Sequence, residues 1–266
     1  MTDLQFVTTA DGISLAVEAA ADNGKPPLVL SNSIGANLGM WDEFVVHGAD
    51  RFRIIRYDTR GHGKSQIKDE PISIETLGRD ILRIMDALQV QKATLCGLSL
   101  GGLTAQWLGV NFPARFDGIV VANTAANFPP ASMWQDRAKT VRESGMEPLV
   151  AATLDRWFTK SFQDANPKRM AEIATMISST SAIGYARCCE VLASTDMSPA
   201  LGKLSLPTLV LCGEHDPSTT IYRGEELVGA IPNAEMVVLK AAHISAIEAA
   251  GDFADSVAQF IGTLDR

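Results

Sequence analysis

The most informative segment of the chain reads Ala93-Thr94-Leu95-Cys96-Gly97-Leu98-Ser99-Leu100-Gly101-Gly102. Apolar residues typical of a buried strand lead into the pattern Gly-x-Ser-x-Gly at positions 97–101, and an apolar helical run follows to Val110. A strand that turns sharply into a helix holds the serine in a strained conformation with its hydroxyl exposed. We therefore predict that Ser99 is a nucleophile. The first N–H groups of the helix, beginning with Leu100, are expected to face the charge that develops on its substrate.

A serine hydroxyl needs a neighbouring base, and the chain contains four histidines. His47 lies in a polar segment that we expect to be exposed, and His215 is expected in a loop. His62 sits in a glycine-rich turn and is a candidate to line the site. His243 follows a predicted strand, 235–239, on a short loop, and ligand sites gather at the carboxyl ends of parallel strands. We therefore assign the role of general base to His243.

The acid that orients this base is expected at the same edge of the sheet. Asp216 follows the predicted strand 207–212, and in the chain it comes after the serine and before the histidine. Asp58 also follows a strand but precedes the serine, and Asp196 lies at the end of a helical segment. The strand after the serine helix ends at Asn123, which cannot carry the negative charge that stabilises an imidazolium. Asp216 is therefore the predicted acid.

A tetrahedral oxyanion needs a second N–H donor besides that of Leu100. After a strand–turn–helix of this kind, the second donor comes from the loop that follows an earlier strand. Here that strand is 27–31, and the loop reads Asn32-Ser33-Ile34-Gly35-Ala36-Asn37. Counting back from Trp41, we predict that Ile34 supplies the N–H, since a backbone donor tolerates any side chain.

Strand and helix patterns alternate along most of the chain. Strand patterns fall at 4–8, 13–20, 27–31, 53–57, 93–97, 118–122, 207–212 and 235–239, and helical spacing at 75–88, 100–110, 222–230 and 252–264. The alternation predicts an α/β fold, with a mostly parallel central sheet and helices on both faces. Residues 127–200 show helical patterns only. We expect a core of residues 1–126 and 201–266 with an inserted helical cap, or lid, at 127–200. The alternative is that 127–200 is a plain helical subdomain that only packs against the core.

Charge and composition exclude several classes of partner. With 23 basic and 31 acidic residues the net charge is −8, so nucleic acid and anionic membrane surfaces are not expected partners. The uncharged run 93–114 contains several glycines and polar residues, which favours a buried strand and helix over a membrane span. No cysteine and histidine spacing suits a metal, and Gly63-Lys64-Ser65 lacks the first glycine of a phosphate-binding loop. We expect neither metal nor cofactor, and the oligomeric state is left open.

The four cysteines indicate the compartment. Cys96 and Cys212 end apolar strand-like runs, and Cys188 and Cys189 are adjacent, so we expect four reduced thiols rather than disulfides. Residues 1–5 lack the basic and apolar regions of a secretory signal. Both features favour a cytoplasmic protein.

With these residues assigned, the chain resembles the α/β-hydrolase family over its whole length. The order serine, acid, histidine is that of the family, and residues 58–65 match its D-x-R-G-x-G-x-S turn. Within the family the chain is similar to the 3-oxoadipate enol-lactone hydrolases of the bacterial β-ketoadipate pathway, through Leu30-Ser31-Asn32-Ser33-Ile34-Gly35, Met133-Trp134 with Arg137, Gly184-Tyr185 with Cys188-Cys189, and Ala241-Ala242-His243-Ile244-Ser245. Asn32-Ser33 replaces the His-Gly of many α/β-hydrolases, as expected in this subgroup, whereas Ala246 stands where the subgroup has asparagine.

The resemblance implies a serine hydrolase that opens 3-oxoadipate enol-lactone to 3-oxoadipate through an acyl-enzyme. This small substrate carries a carboxylate, which is costly to bury unpaired, so a cationic partner is expected in the cap. Arg137 and Arg187 are the candidates, and Trp134 is expected to line the pocket. A carboxylesterase, a cofactor-free perhydrolase and a C–C bond hydrolase of the same fold are alternatives, as is a ligand-binding receptor without catalytic activity.

Overall fold

The computed structural model describes residues 4–22 and 24–264, within which eight strands form one sheet. Residues 1–3, part of the stretch that argues against a secretory signal, lie outside the described residues. The strand order is β1-β2-β4-β3-β5-β6-β7-β8, and in this part of the chain β2 is the one strand that runs against its neighbours. The strands are β1 Leu4–Thr8, β2 Ser14–Ala19, β3 Pro27–Ser31, β4 Arg53–Tyr57, β5 Ala93–Leu98, β6 Phe116–Ala122, β7 Thr208–Gly213 and β8 Ala234–Leu239.

Helices pack against this sheet and against one another. Helix α3 contacts β5 and β6 and packs against α2, whereas α11 contacts β6 and β7 and packs against α1. The helices are α1 Asp42–Gly48, α2 Ile74–Ala87, α3 Leu100–Asn111, α4 Ala131–Ser144, α5 Val150–Trp157, α6 Lys160–Ala165, α7 Pro167–Ser178, α8 Ala182–Ser194, α9 Ile221–Ala230, α10 Ser245–Glu248 and α11 Ala250–Leu264.

Local sequence explains where these elements form. Helix α2 begins after Ser73, whose hydroxyl accepts a hydrogen bond from the N–H of Thr76, while the Thr76 hydroxyl accepts one from the N–H of Ser73. Of the apolar residues of α2, Ile81, Ile84 and Met85 are fully buried. All six residues of β5 and of β7 are buried, as expected of central strands that are covered on both faces.

The five helices α4–α8 lie between β6 and β7 in the chain. Within this segment α4 packs against α8 and α5 against α7. The two ends of the segment lie side by side, because Met197 N–H donates to the carbonyl of Ala126 at 2.8 Å and Asn127 forms a β-bridge with Asp196. We propose that residues 127–200 form a cap on a core built from the rest of the chain.

The predicted α/β architecture is confirmed, and the element bounds differ from those predicted by at most two residues. The uncharged run 93–114 forms β5 and α3. In the described part of the chain, no helix is both long enough and apolar enough to span a membrane.

Candidate active site

Ser99 occupies the sharp turn between β5 and α3. Its φ is +56°, a left-handed conformation that costs free energy in any residue except glycine and that persists only where the surroundings hold it. The turn is tight because the two glycines of the motif permit close backbone contacts. A Cβ on Gly97 would lie 2.1 Å from the carbonyl oxygen of Gly101, and one on Gly101 would lie 2.2 Å from that of Ser31. Glycine is therefore required at both positions, as the sequence pattern indicates.

His243 and Asp216 are joined by a buried hydrogen bond. Asp216 lies on the loop after β7 and His243 on the loop after β8, so both stand at the carboxyl edge of the sheet. His243 Nδ1 lies 2.8 Å from Asp216 Oδ2. Thr219 donates its hydroxyl to the same oxygen at 2.6 Å, and the N–H groups of Ser218 and Thr219 donate to Oδ1 at 2.8 and 3.1 Å. The carboxylate is thus held in one orientation.

These contacts keep Asp216 ionised. Burial by itself raises the pKa of a carboxyl group, but the charge of His243 and the hydrogen bonds from His243 and Thr219 outweigh burial and lower the pKa of Asp216 to about 2. A stable negative charge beside the imidazole favours the protonated form that a general base passes through.

Asn123 links the two loops that carry Asp216 and His243. Its side-chain amide donates to Asp216 Oδ2 and to the carbonyl of Ala242, both at 3.1 Å, and its Oδ1 accepts from the hydroxyl of Ser245. From the sequence, Asn123 was rejected as the acid, and this connecting role was not predicted. Its signal, a polar residue directly after a buried strand, was present in the sequence.

Two backbone N–H groups near Ser99 have no acceptor among the described residues. They belong to Leu100, the first residue of α3, and to Ile34, in the loop after β3. That loop is tied to the serine turn, because Gly101 N–H donates to the carbonyl of Asn32 at 3.0 Å. An unpaired N–H beside a nucleophile is the arrangement that stabilises an oxyanion.

A cavity of about 400 Å³ lies between the sheet edge and the cap. Ser99 and His243 both line it, together with Ile34 on the core side. The remaining wall is largely apolar and includes cap residues, among them Phe128, Met133, Trp134, Trp157 and Tyr185. A partly enclosed, mostly apolar cavity with a few convergent polar groups suits a small organic ligand.

Three arginines line this cavity, and they differ in their partners. Arg223 is held by Asn127 and Glu226. Arg137 stacks on the ring of Trp134, with its guanidinium carbon 4.8 Å from the ring centroid. Arg156 has one described hydrogen bond, to the hydroxyl of Thr153 at 3.1 Å. Among the described residues, no carboxylate lies within ion-pair distance of Arg137 or Arg156.

Arg156 was not predicted from the sequence. The charges around it indicate which kind of ligand the cavity suits. Burial lowers its pKa, and the nearby positive charge of Arg137 lowers it further. Two partly buried like charges without a carboxylate repel each other, so an anion that binds between them relieves an unfavourable arrangement. The cavity is therefore suited to a ligand that carries a carboxylate.

Arg187, the other predicted cationic partner, does not line the cavity. Its guanidinium donates to Asp69 at 3.0 Å and to Glu190 at 2.7 Å. It belongs to a network of ion pairs on the outside of the cap that also includes Arg142. Helical spacing alone did not reveal which side of α8 faces the cavity.

The alternative bases and acids occupy other places. His47 and His215 are exposed, as expected, and His62 is buried but does not line the cavity. Asp58 accepts the N–H groups of Leu38 and Lys64, both at 2.7 Å. Asp196 accepts from Asn127 and from the N–H of Ser198 on the surface. Within the described residues, no group of three or more His, Cys, Asp and Glu side chains is placed to hold a metal.

The comparisons with known proteins agree with this geometry. Residues 26–250 match the model of the alpha/beta hydrolase fold. This chain belongs to the α/β-hydrolase family. Its strand–turn–helix at Ser99 and the chain order of the three polar residues are features of that family.

The similarity extends to one activity within the family. The hydrolase is 42% identical to 3-oxoadipate enol-lactonase 2 of Acinetobacter baylyi over 90% of each chain. It is 38% identical to 3-oxoadipate enol-lactonase 1 of the same organism over 97% of each chain. The crystal structure of the enol-lactonase from Burkholderia xenovorans superposes with a TM-score of 0.94 at 37% identity, covering 97% of this chain and all of that one. The resemblance to enol-lactone hydrolases that the sequence indicated is thereby confirmed.

Proposed function

We propose that this hydrolase opens 3-oxoadipate enol-lactone to 3-oxoadipate, with Ser99 as nucleophile, His243 as general base and acid, and Asp216 as the orienting acid. The observation that carries the proposal is the buried hydrogen bond between His243 and Asp216, 2.8 Å long, at the cavity that Ser99 also lines. The choice of substrate rests on the similarity to the two 3-oxoadipate enol-lactonases. In the β-ketoadipate pathway of bacteria this reaction serves the degradation of aromatic compounds.

The first half of the reaction forms an acyl-enzyme. Ser99 Oγ attacks the lactone carbonyl while His243 Nε2 takes its proton, and Asp216 stabilises the imidazolium through Nδ1. The oxyanion receives hydrogen bonds from the N–H groups of Leu100 and Ile34. Each such donor contributes about 3–4 kcal/mol of transition-state stabilisation in comparable sites.

Ring opening and hydrolysis complete the reaction. The bond between the acyl carbon and the ring oxygen breaks, and the departing enolate receives the proton from His243. Water then attacks the acyl-enzyme, with His243 taking one of its protons and returning it to Ser99 Oγ. One water is consumed, and the product carries a new carboxylate and a ketone.

We assign the substrate's own carboxylate to Arg137 and Arg156. Both line the cavity, and neither has a carboxylate partner among the described residues: Arg156 donates to Thr153 and Arg137 stacks on Trp134. Trp134 holds the Arg137 guanidinium against its ring, which supports a fixed orientation. Of the two candidates from the sequence, Arg137 and Arg187, this proposal keeps Arg137, and it adds Arg156.

We infer that the protein works in the cytoplasm as an enzyme of a small anionic substrate. All four cysteines are buried free thiols. Reducing compartments maintain such thiols, and secreted proteins of this size more often carry disulfides.

The decisive experiment follows the absorbance of enol-lactone after adding purified protein. We expect wild type to consume the lactone and Ser99→Ala to lose at least about 10³-fold in kcat. A serine-reactive phosphonate is expected to label wild type but not Ser99→Ala. Lactone consumption that survives in Ser99→Ala would contradict the assignment of the nucleophile.

A carboxylesterase is the second candidate. A thermophilic esterase from Thermogutta terrifontis, solved with malate bound, superposes with a TM-score of 0.92 at 25% identity. Short p-nitrophenyl esters separate the two functions. A lactone specialist has a kcat/KM for enol-lactone that exceeds that for p-nitrophenyl acetate, whereas a general esterase shows the reverse.

A further inference from the structure

The loop that carries Ile34 contains a tight turn. Ala36 N–H donates to the carbonyl of Ser33 at 3.2 Å, and Gly35, the third residue of the turn, has a φ of +82°. A positive φ at this position, together with an ordinary φ at Ile34, is the pattern of a type II turn. The central peptide of this turn joins Ile34 to Gly35, so its N–H is that of Gly35, directly after the predicted donor.

His62 accepts the N–H of that central peptide. Its Nε2 lies 3.0 Å from the nitrogen of Gly35, and its Nδ1 lies 3.2 Å from the carbonyl oxygen of Arg60. A backbone N–H only donates and a carbonyl only accepts, so the imidazole is neutral with its proton on Nδ1. Burial lowers the pKa of His62 to about 4, which keeps the ring neutral at ordinary pH.

We propose that His62 is a positioning residue of the hydrolytic site: by accepting the Gly35 N–H, it fixes the peptide that follows Ile34 and so holds Ile34, the predicted oxyanion donor, in place. This inference rests on the proposed serine-hydrolase mechanism. His62 does not line the cavity, so it acts through the turn and not on the substrate.

The turn 58–65, which carries His62, also supports the loop after β3 at a second point. Asp58 accepts the N–H of Leu38 at 2.7 Å, a few residues beyond Gly35. The turn 58–65 therefore provides acceptors for two N–H groups of the loop after β3. On the other side, the hydroxyl of Thr180 in the cap lies 3.3 Å from the carbonyl of Gly35. The orientation of the turn is thus set by groups on both sides, of which His62 is the one that contacts its central peptide.

The test compares His62→Leu, which removes the acceptor, with His62→Gln, whose side-chain oxygen reaches the position of Nε2. Titration with a serine-reactive phosphonate first counts the working sites in each preparation. On p-nitrophenyl acetate, we expect His62→Leu to lose about 10- to 100-fold in kcat per labelled site, with KM changed by less than about threefold. We expect His62→Gln to recover most of this loss.

Inhibition by a trifluoromethyl ketone supplies a second measurement, because Ser99 adds to it and forms a tetrahedral oxyanion. Its Ki is expected to rise in His62→Leu by the same factor as kcat falls. The proposal is overturned if kcat per labelled site is unchanged in His62→Leu, or if His62→Gln is as poor as His62→Leu. Failure of the phosphonate to label wild type would instead contradict the proposed function itself.

Discussion

The carboxylate of Glu248 accepts a hydrogen bond from the backbone N–H of Ala242 at 2.9 Å, directly before His243 in the chain. The same carboxylate accepts the hydroxyl of Thr159 and its N–H, the latter at 3.3 Å. Nearby, Ile244 N–H donates to the carbonyl of Trp157 at 3.1 Å. The loop that presents the proposed base is therefore joined to the end of α5, the helix that places Arg156 and Trp157 in the cavity wall.

This connection predicts that Glu248→Gln changes both binding and turnover. Glutamine replaces one acceptor oxygen with an NH2 group, so one of the two links is lost. A hydrogen bond of this kind contributes about 0.5–1.5 kcal/mol, and we expect kcat for enol-lactone to fall about 2- to 10-fold with a comparable rise in KM.

Thr159→Val is the matched control, since it removes the hydroxyl bond on the cap side of the link and leaves the bond to Ala242. It is expected to raise KM while kcat stays within about twofold. Steady-state kinetics of both variants check this, and an unchanged kcat in Glu248→Gln would show that the link does not position His243.

The hydrogen bonds around Asp216 predict a particular dependence of stability on pH. The pKa of Asp216 in the folded protein, about 2, lies below its ordinary value of 3.8, so ionised Asp216 stabilises the fold above pH about 4. This contribution, about 2 kcal/mol, is lost as the pH falls from about 4 through about 2. Urea unfolding between pH 2 and 7 measures it.

Asp216→Asn is expected to lack this part of the acid dependence, and its kcat is expected to fall by about 10³–10⁴-fold because the imidazolium loses its partner. The difference in unfolding free energy between wild type and Asp216→Asn is expected to shrink toward pH 2. A difference that does not shrink would contradict the assignment.

Three of the cap arginines, Arg137, Arg156 and Arg187, allow a test of carboxylate recognition. We expect Arg137→Met and Arg156→Met each to lower kcat/KM for enol-lactone by about 10- to 100-fold, as a lost hydrogen bond to a charged group requires. Activity on neutral p-nitrophenyl acetate should change by less than about threefold, because that ester presents no carboxylate.

Arg187→Met is the matched control, because Arg187 pairs with Asp69 and Glu190 outside the cavity. It should leave both activities nearly unchanged. Equal losses on the charged and neutral substrates in the Arg137 and Arg156 variants would overturn the subsite.

The sequence predicted the parts of the site that depend on strand ends and chain order. Ser99, Asp216 and His243 each follow a strand that a run of mostly apolar residues reveals, and parallel strands bring such ends to one edge. Arg156 and Glu248 could not be found in this way. Their roles depend on how α5 packs against the loop after β8, a contact between segments about 90 residues apart that no local pattern encodes.

Arg187 shows the same limit of local sequence patterns, because it was predicted as a partner of the substrate and does not line the cavity. A helix of small and apolar residues such as α8 is buried on more than one side, and its sequence does not indicate which side faces a cavity and which faces a neighbouring helix. Asn123 was missed for a different reason: an amide was judged only by the charge that it lacks, and not by the three hydrogen bonds that it makes.

The ion pairs of Arg60 predict where the turn at 58–65 is vulnerable. Arg60 donates to both oxygens of buried Asp80, at 2.7 and 2.6 Å, and to Asp11 at 2.9 Å. Asp80→Asn keeps one acceptor oxygen for the buried Arg60 guanidinium but removes the negative charge, so we expect the free energy of unfolding to drop by about 3–5 kcal/mol.

The matched control is Asp11→Asn. The side chain of Asp11 is 46% exposed, so this substitution should lower the free energy of unfolding by less than about 1 kcal/mol. Urea unfolding at pH 7 distinguishes the two, and equal losses would mean that burial does not decide the strength of these pairs. Since this turn also carries His62, Asp80→Asn should lower kcat per phosphonate-labelled site as well, whereas Asp11→Asn should not.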